Sequence, residues 1–132
     1  MERGYGRRRI EEVIGLFQLQ EFVDDLTERY SHGMRQRTVF ASALVHEPKV
    51  LIVDEPTRGI DIVAKVEVHN LLFEMARSGI AVVAISSELP EVLAISDRII
   101  TMREGRVSGE IKGEDATEEV LMSMMTLSAK AA

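Results

Sequence analysis

Apolar residues run without alternation through Val50-Leu51-Ile52-Val53, and again over residues 80–85. Each run predicts a strand buried on both faces, as in a parallel sheet lying under helices. Between them Val63, Val66, Leu71, Leu72 and Met75 fall near helical spacing, which predicts a helix over residues 62–77. Asp61 is placed to open that helix, and Gly79 is placed just past its end. Upstream, Ile10, Val13, Ile14, Phe17 and Phe22 predict a helix over residues 9–22, with a second short helical piece over residues 20–26. Ser31 is a good N-cap for a helix running to about residue 46, with Phe40, Ala41, Leu44 and Val45 on its core face and Pro48 as its stop.

Downstream, Ser86 and Ser87 are expected to cap a short helix with Pro90 in its first turn and Val92, Leu93 and Ile95 facing inward. A third strand is expected over residues 98–102. A tight turn at Glu104-Gly105 then leads into a returning edge strand over residues 106–111. Thr117 caps a last amphipathic helix with Val120, Leu121 and Met124 on its apolar side, and residues 128–132 are expected to form a loose tail.

Candidate chemistry sits where the first apolar run ends. Asp54 and Glu55 follow Val53 directly, and Pro56 and Gly59 then break the backbone. The carboxyl end of a parallel strand is where open α/β sheets bind ligands. Two adjacent acids there call for a metal, a positive charge or a polarised water beside them. A strand that merely ends in a solvated acidic turn is the simpler alternative. A second candidate is Ser31-His32-Gly33 at a helix start, where a hydroxyl and free backbone N–H groups suit a phosphate. A plain N-cap explains the same residues. His32, His46 and His69 show no ligand-like spacing to each other or to the acids.

With 132 residues the chain holds at most one domain. Its 45% apolar and 29% charged residues are those of an ordinary globular chain. A net charge of −6 gives no global attraction to nucleic acid or anionic lipid. The arginines at positions 3, 7, 8 and 9 are a local exception, read as a solvated, frayed terminus. Cysteine is absent, which fits a reducing compartment. No apolar run is long enough to span a membrane and no signal peptide is visible.

Three segments then fall into one order: YSHGMRQR at residues 30–37, VLIVDEPTRGID at 50–61 and AVVAISSELPEVLAISDRIITMREGRVSGEI at 81–111. Together they resemble the carboxyl-terminal half of an ABC transporter ATP-binding cassette, over about residues 10–121. The resemblance implies an α/β fold: a partial P-loop NTPase (RecA-like) parallel sheet with flanking helices. Residues 1–30 would be the end of the helical subdomain, and residues 31–132 the carboxyl-terminal part of the ATPase core.

The resemblance also assigns roles. Ser31 and Gly33 keep the phosphate-contacting positions of the signature loop, whose usual form is LSGGQ, while Tyr30, His32 and Met34 depart from it. Asp54 matches the aspartate that holds Mg²⁺, Glu55 the catalytic glutamate, and Asp61 the D-loop aspartate that communicates across a cassette dimer. Ser87 stands at the position of the family's switch histidine, and its side chain is too short to make the same γ-phosphate contact. No G-x-x-x-x-G-K-[ST] and no Gln-loop region occur in the chain, so a half-cassette is expected.

From Thr57 onward the segments look like the second cassette of tandem ATP-binding subunits of bacterial ribose, xylose or galactose importers, where Ser at the switch position is usual. YSHGMRQR looks more like exporter cassettes. The implied ligands are ATP and Mg²⁺. The implied partners are a second ATP-binding cassette, transmembrane permease subunits and, through them, a periplasmic sugar-binding protein, with no nucleic acid. The implied location is the cytoplasmic face of the membrane, held there by the permease. An exporter cassette for drugs or polysaccharide is the alternative within the family. A non-catalytic module that completes or blocks another cassette through Ser31 and Gly33 is the alternative outside it.

Overall fold

A computed structural model describes residues 3–25 and 27–126. The chain divides into two compact units, Met1–Val83 and Ala84–Ala132.

In the first unit, helix α1 (Arg3–Leu16) is followed by turns, a 3-10 turn (Thr27–Arg29) and helix α2 (His32–Leu44). Strand β1 (Val50–Asp54) and helix α3 (Ile62–Arg77) come next, and strand β2 (Ala81–Ile85) starts in this unit. α2 packs against both α1 and α3. Phe17, Phe22, Phe40, Leu44, Leu72 and Met75 are among the buried core side chains. Tyr30 closes the turn region. Its hydroxyl donates to the Phe22 carbonyl at 2.8 Å, and its ring meets Phe22 edge-on with centroids 5.1 Å apart.

The first helix differs from expectation at both ends. It begins at Arg3, so the arginine-rich start is helical rather than frayed. Arg9 is structural: it donates from Nη2 to the Leu44 carbonyl at 3.1 Å, at the carboxyl end of α2, and pairs with Glu12 at 3.2 Å. The helix stops at Leu16, and Gln18 takes a left-handed φ of 53°. Residues 20–25 are turns rather than a second helix, and residue 26 lies outside the described residues.

β1 and β2 are neighbours in a parallel two-stranded sheet, joined through α3. Ala81 N–H donates to the Lys49 carbonyl at 2.9 Å. Burial in β1 alternates: Leu51 and Val53 are buried, but Val50 is 54% and Ile52 66% exposed. Val83 and Ile85 of β2 are likewise exposed. Burial on both faces needs a second covering layer, and among the described residues nothing covers that face. α3 keeps its expected bounds, but Val68, Leu72 and Met75 form its buried stripe while Val63 and Val66 face solvent. Spacing of three and four residues defines a stripe without saying which of two apolar stripes is covered. α3 ends in a Schellman motif: Gly79 N–H bonds to Ala76 and Ile80 N–H to Met75, with Gly79 at φ 97°.

In the second unit, β2 ends and helix α4 (Leu89–Ile95), strands β3 (Arg98–Arg103) and β4 (Arg106–Lys112) and helix α5 (Glu118–Thr126) follow. β3 and β4 form an antiparallel hairpin, and Glu104 and Gly105 turn it with φ of 50° and 75°, the signs a type I′ turn requires. The register shifts between Thr101 and Met102, and the Thr101 and Ser108 hydroxyls meet there at 3.0 Å. α5 packs on the hairpin and on α4, with Leu121 buried. Thr117 caps it as expected, accepting the Val120 N–H at 3.2 Å, while Val120 is exposed. The expected loose tail lies outside the described residues. α4 departs from expectation: its N-cap is Glu88, not Ser86 or Ser87, and its buried side chain is Glu91, while Val92, Leu93 and Ile95 are half-buried.

Candidate functional site

Ser31 sits in extended backbone (φ −61°, ψ 166°) at the start of α2, and its Oγ accepts the Met34 N–H at 3.2 Å. Met34 answers with its thioether, which accepts the Ser31 N–H at 3.4 Å. This is a capping box closed by sulfur where Glu or Gln usually serves. Asp61 does the same work for α3, its Oδ1 accepting the Ala64 N–H at 2.9 Å. Both helix starts open into one groove of about 330 Å³ lined by Ser31, Gly33, Arg37, Asp61, Ala64 and Glu67 among others. Arg37 and Glu67 form an ion pair across it. The structure thus brings three of the assigned residues, Ser31, Gly33 and Asp61, into one depression with two positive helix ends.

Asp54 and Glu55 lie at the carboxyl end of β1 and do not line that groove. Asp54 is exposed and Glu55 is half-buried. Glu55 holds a left-handed φ of 48°, a conformation that costs a non-glycine residue of order 1 kcal/mol or more. The turn around it is well fixed. Arg58 N–H donates to the Glu55 carbonyl at 3.1 Å, Thr57 is fully buried, and Gln36 Nε2 of α2 donates to the Pro56 carbonyl at 2.7 Å. That last bond ties the helix carrying Ser31 to the turn carrying Glu55.

Ser87 belongs to the second unit, exposed in the turn after β2. Its neighbours are held: Ser86 Oγ accepts the Glu88 N–H at 3.1 Å and donates to Glu91 Oε2 at 2.5 Å.

Gln36 and Glu91 are the residues that sequence reasoning missed. A signal existed for Gln36. It lies four residues before the buried Phe40 and three after Gly33, so it is a polar residue on an apolar stripe. Glu91 carried no such mark, since Pro90 and Val92 flank it without periodicity.

Among the described residues no group of three or more His, Cys, Asp or Glu could hold a metal by itself. Asp54 can offer one exposed carboxylate. That fits Mg²⁺, which commonly takes one or two carboxylates and completes its shell with phosphate oxygens and water. No helix among the described residues is long and apolar enough to cross a membrane.

A family model described as "ABC transporter" matches residues 5–58. The ribose import ATP-binding protein RbsA 2 of Agrobacterium fabrum is 47% identical over 105 residues, covering 80% of this chain and 21% of that protein. The xylose import ATP-binding protein XylG of Moorella thermoacetica is 51% identical over 96 residues, covering 73% of this chain and 19% of that protein. Among solved structures, cbiO1 from Clostridium perfringens, part of an ABC transporter complex, superposes with a TM-score of 0.79 at 32% identity, covering 88% of this chain and 47% of that one. The fold is therefore a partial P-loop NTPase. Over these residues the chain is similar to the ABC transporter ATP-binding family and matches part of one cassette. It spans about a fifth of the length of the curated relatives it matches.

Proposed function

We propose that this chain is the carboxyl-terminal part of an ATP-hydrolysing cassette that energises solute import, with a sugar as the solute. Residues 1–30 then end the helical subdomain, and residues 31–132 belong to the ATPase core. The observation that carries the reading is the acid pair Asp54-Glu55 at the end of β1, inside a stretch similar to sugar-import ATP-binding proteins.

The chemistry divides between two places. Glu55, half-buried on a fixed turn, orients and deprotonates the water that attacks the terminal phosphate of ATP. Asp54 supplies the carboxylate for Mg²⁺, which when bound neutralises charge on the phosphates. Ser31 and the backbone N–H of Gly33 offer hydrogen bonds and a helix dipole to the phosphates of ATP held by a second cassette. Asp61, in the same groove, faces that second cassette. Ser87 stands at the position that meets the terminal phosphate. The phosphate loop comes from a segment outside these residues. Closure of two cassettes around ATP drives the permease subunits, which hold the assembly at the cytoplasmic face of the membrane and receive sugar from a periplasmic binding protein. Nucleic acid has no part in this.

Reconstitution tests it. The full-length protein, assembled with its permease in lipid vesicles, should hydrolyse ATP several-fold faster when sugar-loaded binding protein is added on the outer side. A rate that responds only to drugs or polysaccharide precursors on the ATP side would identify an exporter instead.

A further inference from the structure

Gln36 Nε2 donates to the Pro56 carbonyl in a half-buried bond 2.7 Å long. Glu55, the residue before that peptide, has a φ of 48°, which a side chain with a Cβ does not adopt unless its surroundings impose it. Several contacts hold this turn. Pro56 has its own φ fixed by its ring. The Arg58 N–H bonds back to Glu55 within the same turn. Thr57, in the same turn, is fully buried. Gln36 adds a bond to this turn from a separate helix, and it grips the carbonyl of the peptide next to the strained residue.

We infer that Gln36 is a positioning residue for hydrolysis: by holding the Pro56 carbonyl it fixes the backbone of Glu55 and hence the direction of its carboxylate. The inference rests on the proposed role of Glu55. Gln36 itself touches no reacting atom. Release of the Pro56 carbonyl lets the turn relax toward an ordinary φ and swings the carboxylate away from its water. Displacements of about 1 Å at a reacting group can lower a rate by about a hundredfold. Substrate affinity, set by other residues, is left in place.

The test uses the full-length ATPase and four variants, with kcat, KM, fluorescent-nucleotide affinity and thermal midpoint measured for each. Gln36→Met keeps the shape and removes the donor. Gln36→Glu is a second donor-less variant should the first fold poorly. Gln36→His restores an N–H at similar reach. The expected result is a fall in kcat of about tenfold or more for Gln36→Met and Gln36→Glu, with KM and nucleotide affinity within about twofold of wild type, and substantial recovery in Gln36→His. Unchanged kcat in both donor-less variants overturns the inference. So does a loss of kcat and affinity together that Gln36→His does not repair, because that is damage to the fold. Glu55→Gln separates the two levels. If it abolishes turnover while Gln36→Met and Gln36→Glu do not slow it, the inference alone fails. If Glu55→Gln turns over normally, the proposed role of Glu55 fails and the inference falls with it.

Discussion

Ser86 and Glu91 share a 2.5 Å hydrogen bond in which the Ser86 hydroxyl donates to Glu91 Oε2. The same hydroxyl accepts the Glu88 N–H at 3.1 Å, so one side chain ties the backbone just past Ser87 to the Glu91 carboxylate. Glu91 is only 5% exposed, and a carboxyl group is not left there without partners. Substituting Glu91→Ala removes the acceptor and leaves a part-buried hydroxyl to find another. A loss of about 1–3 kcal/mol in unfolding free energy is expected from urea titration. A double-mutant cycle with Ser86→Ala should show coupling of about 0.5 kcal/mol or more, since the two residues share one bond.

Ser31 has two duties that one pair of variants can separate. Ser31→Ala loses the cap on α2 and should cost about 1 kcal/mol. Ser31→Asp keeps a cap but sets a carboxylate where a phosphate of the facing cassette would lie. Thermal unfolding should show Ser31→Asp near wild type and Ser31→Ala lowered. ATP turnover of the assembled protein should fall most in Ser31→Asp.

Two glycines predict opposite signs. A Cβ at Gly113 would overlap the backbone carbonyl of Ser96, which cannot rotate away. Gly113→Ala should therefore destabilise the second unit by about 1–3 kcal/mol. Gly6 lies in α1 with nothing near its missing Cβ, and Gly6→Ala should stabilise by about 0.5–1 kcal/mol. Differential scanning calorimetry of both variants reads the two signs directly.

Much of the fold was legible because its signals were local. Asp61 as cap and Gly79 as C′ residue bounded α3, Glu104-Gly105 specified the hairpin turn, and Thr117 marked the start of α5. What the sequence left open were the partners of each face. The unbroken run from Val50 to Val53 signals a strand covered twice, whereas the described residues cover it once. Pro90 suggested a helix start after a serine cap, but the Ser86 hydroxyl is engaged with Glu91 and the cap position passes to Glu88. Within the candidate site, Ser31, Gly33 and Asp61 were each readable as helix-start residues. The bond from Gln36 to Pro56 joins residues far apart in the chain, and no local pattern encodes it.

The exposed face of β1 yields its own prediction. Ile52→Thr should change the stability of these 132 residues by less than about 0.5 kcal/mol, because the side chain is 66% exposed. Leu51→Ala, on the buried face, should cost about 2–5 kcal/mol. If the remainder of a cassette covers the outer face in the full-length protein, Ile52→Thr should cost clearly more there. Chemical denaturation of the two lengths side by side makes the comparison.

Glu55 is proposed to perform the hydrolytic step. The most direct measurement is single-turnover hydrolysis of bound Mg-ATP by the full-length protein and its Glu55→Gln variant. The variant should bind Mg-ATP with near wild-type affinity and hydrolyse it about a hundredfold or more slowly, as that role requires. Equal rates in the two proteins would contradict it.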